Sequence, residues 1–308
     1  MERKVIVIVG PTCSGKTDVA IQIAENLNGE IISADSRQIY KLLDIGTAKP
    51  TKLQLEKVKH HFIDELDLEE IYDASKFEVD ALKIIHEIFS QKKTPIVVGG
   101  SGLYIKALVD GIINSVATDK EYRQYLYSIR EKFGNEKLYQ ELKKVDEKSA
   151  NQMLPQNWKR VIRALEVFHL TGKSILDIQN EHSRKVDYNF IQFGIRWARD
   201  DLYKNINKRV DTMIAKGLID EVKNILSAGY DKNLYSLNTV GYKEIIDYFE
   251  GKHTIETAIE LIKRNTRRYA KKQFTWFNAD KRIIWTDVKN EFQLNEIVKR
   301  IENIYSLQ

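Results

Sequence analysis

The run Val5-Ile6-Val7-Ile8-Val9, followed at once by Gly10-Pro11-Thr12-Cys13-Ser14-Gly15-Lys16-Thr17, limits the fold more than any other part of the chain. An unbroken β-branched run fits a strand buried on both faces, the kind found in parallel sheets covered by helices. After the glycine turn, Val19, Ala20, Ile23, Ala24 and Leu27 recur at helical spacing. The segment satisfies G-x-x-x-x-G-K-[ST] between a strand and a helix, the context in which that motif cradles a phosphate. Glycines let backbone N–H groups converge on one point, and the helix N-terminus adds positive potential. Lys16 supplies a point charge, and the Thr17 hydroxyl is the candidate ligand for Mg²⁺. Gly10 through Thr17 are therefore expected to bind a di- or triphosphate, which alone does not fix the reaction.

The punctuation continues. Glu30 to Ala34 reads as a strand ending at Asp35, 75–91 as a helix, and Ile96-Val97-Val98 as a strand after Thr94-Pro95. After Gly111 strand signals cease, and 119–133, 135–144, 157–170 and 174–180 read as helices. Strands return at Phe190–Trp197 and Arg282–Trp285, with helices at 200–216, 218–228, 239–250, 254–277 and 291–304. The expected fold class is α/β: a P-loop-type, doubly wound parallel sheet formed by 1–111 with 187–308, and a helical insertion domain over 112–186. A split into two consecutive domains near 112 is disfavoured by the two late strands.

An ATPase or kinase usually has an acid ending the apolar strand beside its phosphate loop. Here that strand runs into Gly99-Gly100-Ser101-Gly102, and the acid instead ends the second strand, in Asp35-Ser36-Arg37-Gln38. Strand ends in such sheets face the ligand crevice. Asp35 fits a catalytic role or a turn-capping one, and the Ser101 hydroxyl fits a ligand contact or a helix cap. His60-His61 would point to opposite sides of an extended segment and reads as structural. The single cysteine and the six histidines supply no zinc set, and a lone cysteine forms no internal disulfide.

On 254–277, Lys263, Arg264, Arg267, Arg268, Lys271 and Lys272 form i, i+4 ladders on one broad face, with Ile255, Ile259 and Ile262 toward the core. This stripe suits a nucleic-acid backbone or a solvated surface, and the chain's net charge of +5 permits either. Trp276 and Phe277 fit base stacking or core packing. The apolar run after Met-Glu-Arg-Lys is too short for a signal-peptide core or a membrane span, so a soluble cytoplasmic protein with no membrane partner is expected.

Taken in order, several blocks resemble the tRNA dimethylallyltransferase (isopentenyltransferase) family in its bacterial form, without a metal-finger extension after 280. They are Gly10–Thr17, Ile31–Tyr40 with Asp35-Ser36-Arg37-Gln38, Asp44-Ile45-Gly46-Thr47-Ala48-Lys49-Pro50, His60–Asp64 and Val98–Tyr104. Arg160–Glu166, Arg209-Val210-Asp211-x-Met213, Gly241-Tyr242-Lys243-Glu244 and Ala270–Trp276 follow. The resemblance implies transfer of a dimethylallyl group from dimethylallyl diphosphate to N6 of adenosine 37, beside the anticodon, in tRNAs reading codons that begin with U. It implies that the diphosphate, with Mg²⁺, fills the phosphate loop, and that Asp35 is the general base. Ser101 and Arg209 then belong to the reacting centre. Asp35, Ser36, Arg37, Gln38 and Ser101, with Arg123, Lys159, Arg160, Val161, Ile162 and Arg163, would contact the tRNA anticodon loop, joined by Lys271 and Lys272 of the basic stripe. The expected state is a monomer. Departures from the family pattern are Ser101 where threonine is usual, Cys13 where alanine is common, and no proline pattern across Ile112–Ala117. The competing readings are an adenylate isopentenyltransferase acting on free AMP, a P-loop kinase, and a non-catalytic RNA-binding protein.

Overall fold

A computed structural model describes residues 3–112, 116–181, 187–290 and 293–307. Residues 291 and 292, where the last expected helix begins, lie outside that set, as do 113–115 of the departure from the family pattern. The chain forms two compact units, Met1–Val109 with Val186–Gln308, and Asp110–Lys185.

The first unit is built on six strands: β1 (Arg3–Val9), β2 (Gly29–Ser33), β3 (His60–His61), β4 (Thr94–Gly99), β5 (Tyr188–Trp197) and β6 (Ile284–Val288). They lie in the order β3-β2-β4-β1-β5-β6, every pair parallel. Val5 to Val9 are completely buried, as the β-branched run requires of a strand covered on both faces. β4 starts two residues before the expected Ile96 and includes Pro95, which is tolerated because β1 pairs with β4 only from Ile96 onward. β6 begins later than expected because the Arg282 guanidinium turns back onto Asp280, which also accepts its backbone N–H, so that strand pairing starts at Ile284.

Helices α1 (Lys16–Asn26), α2 (Lys52–Lys57) and α3 (Ala74–Ser90) connect the early strands, and α4 (Gly102–Asp110) follows β4. The second unit holds α5 (Lys120–Val145), α6 (Glu147–Ala150), α7 (Trp158–Thr171) and α8 (Ile175–Glu181). Gly134, at φ 81 and ψ 177, breaks α5 into two helices at a kink, matching the two separate helices expected there. Leu126, Leu138, Leu142, Val161, Ile162, Leu165 and Ile175 form this unit's own core. After β5 come α9 (Arg199–Ala215), α10 (Leu218–Ser227), α11 (Tyr242–Phe249) and α12 (Ile255–Asn278), and α13 (Leu294–Leu307) follows β6. α11 starts three residues later than expected because Glu244 reaches back to the N–H of Gly241, whose φ of 100 lies outside the helix. Among the described residues no helix is long and apolar enough to cross a membrane.

Candidate active site

Because the sheet is parallel, the residues following β1, β2, β4 and β5 gather at one edge. The loop after β1 carries left-handed backbone at Cys13 (φ 63) and Gly15 (φ 83), and α1 starts without a side-chain cap on its first amides. Gly10 passes so close to β5 that a Cβ there would sit 2.9 Å from the Ile195 carbonyl oxygen. Trp197 Nε1 donates to the Ser14 carbonyl at 3.1 Å and fixes the loop from the β5 side. Gln273 of α12 clamps it from the other, accepting from Thr12 N (2.8 Å) and donating to Gly100 O (2.9 Å). Ser14 Oγ is buried with no hydrogen-bond partner among the described residues, the kind of orphaned hydroxyl that a bound phosphate oxygen satisfies.

Lys16 Nζ donates to Pro11 O at 2.6 Å. Burial, reinforced by the Arg209 guanidinium, lowers its pKa to about 8, while Cys13 and Asp35 pull the other way. Thr17 lines the same cavity. Among the described residues no cluster of three His, Cys, Asp or Glu side chains is placed to hold a metal ion. A lone hydroxyl nevertheless fits Mg²⁺, which keeps several waters and takes one or two protein oxygens together with substrate phosphates.

Asp35 Oδ1 accepts from Arg37 N (2.8 Å) and Gln38 N (3.3 Å), so this carboxylate does cap a turn. Those bonds occupy Oδ1 alone, and Asp35 also lines the site. The Ser101 hydroxyl is not a helix cap in this fold: Oγ accepts from Ser36 N at 3.1 Å and ties the end of β4 to the Asp35 turn. Gln38 Nε2 donates to the carbonyls of Thr47 and Ala48, both at 3.2 Å, and Arg209 Nη2 on α9 reaches Thr47 O at 3.5 Å. Arg37 stacks on Tyr235, its guanidinium 4.4 Å from the ring centre.

Two cavities open from this edge. The larger, about 860 Å³, has the phosphate loop in its wall. The smaller, about 520 Å³, is bounded by Arg37, Lys243, Arg268 and Lys272. Thr12, Asp35, Thr47, Arg209, Met213 and Tyr269 line both.

On α12 the structure sorts the cations. Arg264, Arg268, Lys271 and Lys272 are exposed, whereas Lys263 pairs with Asp211 at 2.8 Å and Arg267 donates to Asn207 at 2.6 Å, so these two are drawn onto α9. Phe277 is core, while Trp276 stays partly exposed with its ring over Gly102, where a Cβ would sit 2.3 Å from Cδ1. The adjacent histidines diverge. His60 lines the larger cavity with Nδ1 2.8 Å from Val58 O, and His61 Nε2 lies 2.7 Å from the buried Glu30 carboxylate.

In the helical unit, Lys159 and Arg160 are exposed, but Val161 and Ile162 are buried and offer no side-chain surface to RNA. Arg123 and Arg163 both bind Glu166, which is completely buried and also accepts from Asp119 N. These arginines neutralise a buried carboxylate, a structural demand that the motif alone does not reveal. Sequence reasoning also gave no role to Gln273, Tyr269 or Thr47. A signal existed for Gln273, a polar residue in the same phase of α12 as the buried Ala270 and Phe277.

A model of the family described as IPP transferase matches residues 38–280. The tRNA dimethylallyltransferase of Acetivibrio thermocellus is 47% identical over 302 residues, covering 97% of this chain and 96% of that protein. The solved tRNA isopentenylpyrophosphate transferase of Bacillus halodurans superposes with a TM-score of 0.73 at 39% identity, covering 98% of this chain and 96% of that one. A eukaryotic dimethylallyltransferase acting on tRNA superposes with a TM-score of 0.82 at 28% identity, covering 99% of this chain and 80% of that one. With the family model spanning most of its length and identity this high from end to end, the chain belongs to the IPP transferase family.

Proposed function

We propose that this chain transfers a dimethylallyl group from dimethylallyl diphosphate to the exocyclic N6 of the adenosine beside the anticodon of tRNA, acting as a cytoplasmic monomer. The observation that carries the reading is that Asp35 lines both cavities, one walled by a phosphate loop and the other by cations. The diphosphate binds in the first, under the loop amides, Lys16 and the orphaned Ser14 hydroxyl. The adenosine enters the second, where Arg37, Arg268 and Lys272 attract its flanking phosphates. Such a base must leave its stack to reach Asp35.

The reaction forms one bond and breaks another. The N6 lone pair attacks C1 of the dimethylallyl group, the C1–O bond breaks, and the diphosphate leaves with the bonding electrons. An adenine amine is a weak nucleophile because its lone pair is delocalised into the ring. Asp35 orients it and takes its proton as C–N bonding develops. Negative charge builds on the leaving oxygens, and the preorganised amides, Lys16 and Arg209 stabilise it. The Thr17 hydroxyl would hold Mg²⁺, which would supply further charge neutralisation. Lys271 and Lys272, with Lys159 and Arg160 of the helical unit, supply sequence-independent phosphate contacts.

The test incubates the protein with Mg²⁺, dimethylallyl diphosphate and either an anticodon stem-loop or AMP, followed by mass analysis of the nucleosides. Addition of one dimethylallyl group to the stem-loop adenosine alone supports the reading. Modification of AMP alone would replace it with a free-nucleotide activity, and ATP consumption without prenylation would return the loop to the kinases.

A further inference from the structure

The Asp44–Ala48 loop lies beside the junction of the two cavities, and a single carboxylate outside the loop holds it. Glu221, on α10, accepts from three consecutive backbone amides: Oε2 from Asp44 N (3.2 Å) and Ile45 N (2.7 Å), Oε1 from Gly46 N (3.2 Å). Oε1 also accepts from the Tyr242 hydroxyl at 2.5 Å. Tyr242 is fully buried, and its burial together with the Glu221 charge pushes its pKa up, so it remains a donor. The Tyr242 ring packs against Gly46 so closely that a Cβ there would lie 2.4 Å from Cε2. The loop is thus pressed onto the ring by the carboxylate that the same tyrosine binds.

Beyond this anchor the loop presents the carbonyls of Thr47 and Ala48. Both accept from Gln38 Nε2, and Thr47 O also meets Arg209 Nη2. Gln38 N in turn donates to Asp35 Oδ1. A continuous set of hydrogen bonds therefore runs from Glu221 through the loop to Gln38, Arg209 and the Asp35 turn. We infer that Glu221 is a positioning residue for prenyl transfer, fixing the Thr47 and Ala48 carbonyls so that Gln38 and Arg209 keep Asp35 and the diphosphate in register. The inference rests on the transfer reading above. Charge-assisted acceptance from backbone amides is among the stronger hydrogen bonds. No other acidic residue supplies these three amides with an acceptor among the bonds described.

The experiment combines Glu221→Gln with Gln38→Ala in a double-mutant cycle. It reads the single-turnover rate at saturating dimethylallyl diphosphate and stem-loop, together with amide hydrogen exchange across 44–46 of the unliganded protein. Glutamine keeps the shape and one carbonyl oxygen but turns an NH₂ toward the remaining donors, so the fold survives while half the anchor is lost. The expected loss is ~10-fold for Glu221→Gln and up to ~10²-fold for Glu221→Ala, the scale of a displacement of about an ångström near the chemistry. In the Gln38→Ala background, Glu221→Gln should cost clearly less than it does alone, because the Gln38 branch of the connection is already cut and only the Arg209 branch remains. Faster exchange at 44–46 should accompany the slower transfer. Additive losses in the cycle would overturn the positioning role, as would unchanged exchange of those amides. A wild-type protein that modifies no stem-loop would instead overturn the transfer reading, while exchange still decides whether Glu221 anchors the loop.

Discussion

Adding one methyl group at Gly99 tests whether the sheet edge sets the chemistry. Gly99 ends β4, paired with Val9 of β1. A Cβ built there would lie 2.1 Å from the Ala34 carbonyl oxygen, 2.5 Å from its carbonyl carbon and 2.7 Å from its Cβ. Ala34 is completely buried and its N–H is bonded to Val98 O at 2.8 Å, so no flexible side chain can yield. Restoring ordinary contact requires the two strand ends to separate by ~1 Å. Overpacking of this kind costs ~1–3 kcal/mol, a fall in Tm of ~3–10 °C for a unit of this size. The segment that moves leads directly into Asp35 on one side and Ser101 on the other, so Gly99→Ala should also slow single-turnover transfer by ~10²-fold. Gly100→Ala provides the contrast. Its Cβ meets the end of a side chain, Gln273 Nε2 at 2.2 Å, and disturbs the clamp on Thr12. That variant should weaken dimethylallyl diphosphate binding more than it slows the bound complex. Calorimetric Tm values and rapid-quench transfer rates measure both effects. A Gly99→Ala protein with wild-type rate and Tm would refute the reasoning, as would two variants with the same kinetic profile.

Other expectations follow from single groups. Asp35→Asn retains an oxygen for the Arg37 and Gln38 amides but cannot accept the N6 proton, so turnover should fall ~10²–10⁴-fold with tRNA affinity nearly intact; a tenfold loss of tRNA binding at normal turnover would contradict this. Replacing Lys271 and Lys272 with alanine should flatten the salt dependence of tRNA binding by ~1 log unit per lost phosphate contact, read from affinities at several salt concentrations, whereas Lys263→Ala, already paired with Asp211, should change the slope less. Burial alone would raise the pKa of Glu30, but hydrogen bonds from Lys93, His61 and Lys59 hold it at about 2. The stability this carboxylate contributes is therefore complete above its ordinary value of 4.5 and is lost as pH falls from there toward 2, and Glu30→Gln should flatten that acid limb in urea titrations.

Much of the first unit was legible because its signals are local. A β-branched run, a glycine turn and a 3.6-residue period each sit within a few residues, and they specify β1, the loop and α1 without knowledge of the rest. What stayed illegible depends on partners distant in sequence. Arg123 looks like a free cation until α7 brings Glu166 to it, and Lys263 and Arg267 look like part of an open stripe until α9 supplies Asp211 and Asn207. The Ser101 hydroxyl has a helix next to it in sequence but a better donor, Ser36 N, across the sheet edge. The loop from Asp44 to Ala48 gives little periodic signal because its amides are held by the distant Glu221, and Lys49 after it is held by Asp44, Asp64 and the Tyr40 carbonyl.

The placement of the acid also follows from strand order. A phosphoryl-transfer enzyme needs its acid beside the metal and the phosphates, one strand from the loop, and here the strand beside β1 on that side is β4, which ends in glycines. Asp35 follows β2, one strand further out. At ~4.8 Å between neighbouring strands, the end of β2 lies ~10 Å from the end of β1. That separation suits a reaction in which the phosphates are the leaving group and the proton is taken at the far side of the carbon being transferred. The glycines of β4 are what let the intervening strand end approach both neighbours: a Cβ at Gly99 would strike Ala34, and one at Gly100 would strike the Gln273 amide that holds the phosphate loop. Moving an acid to the end of β4 would bring it nearer the phosphates, but by filling the gap through which Asp35 and the loop are held in register.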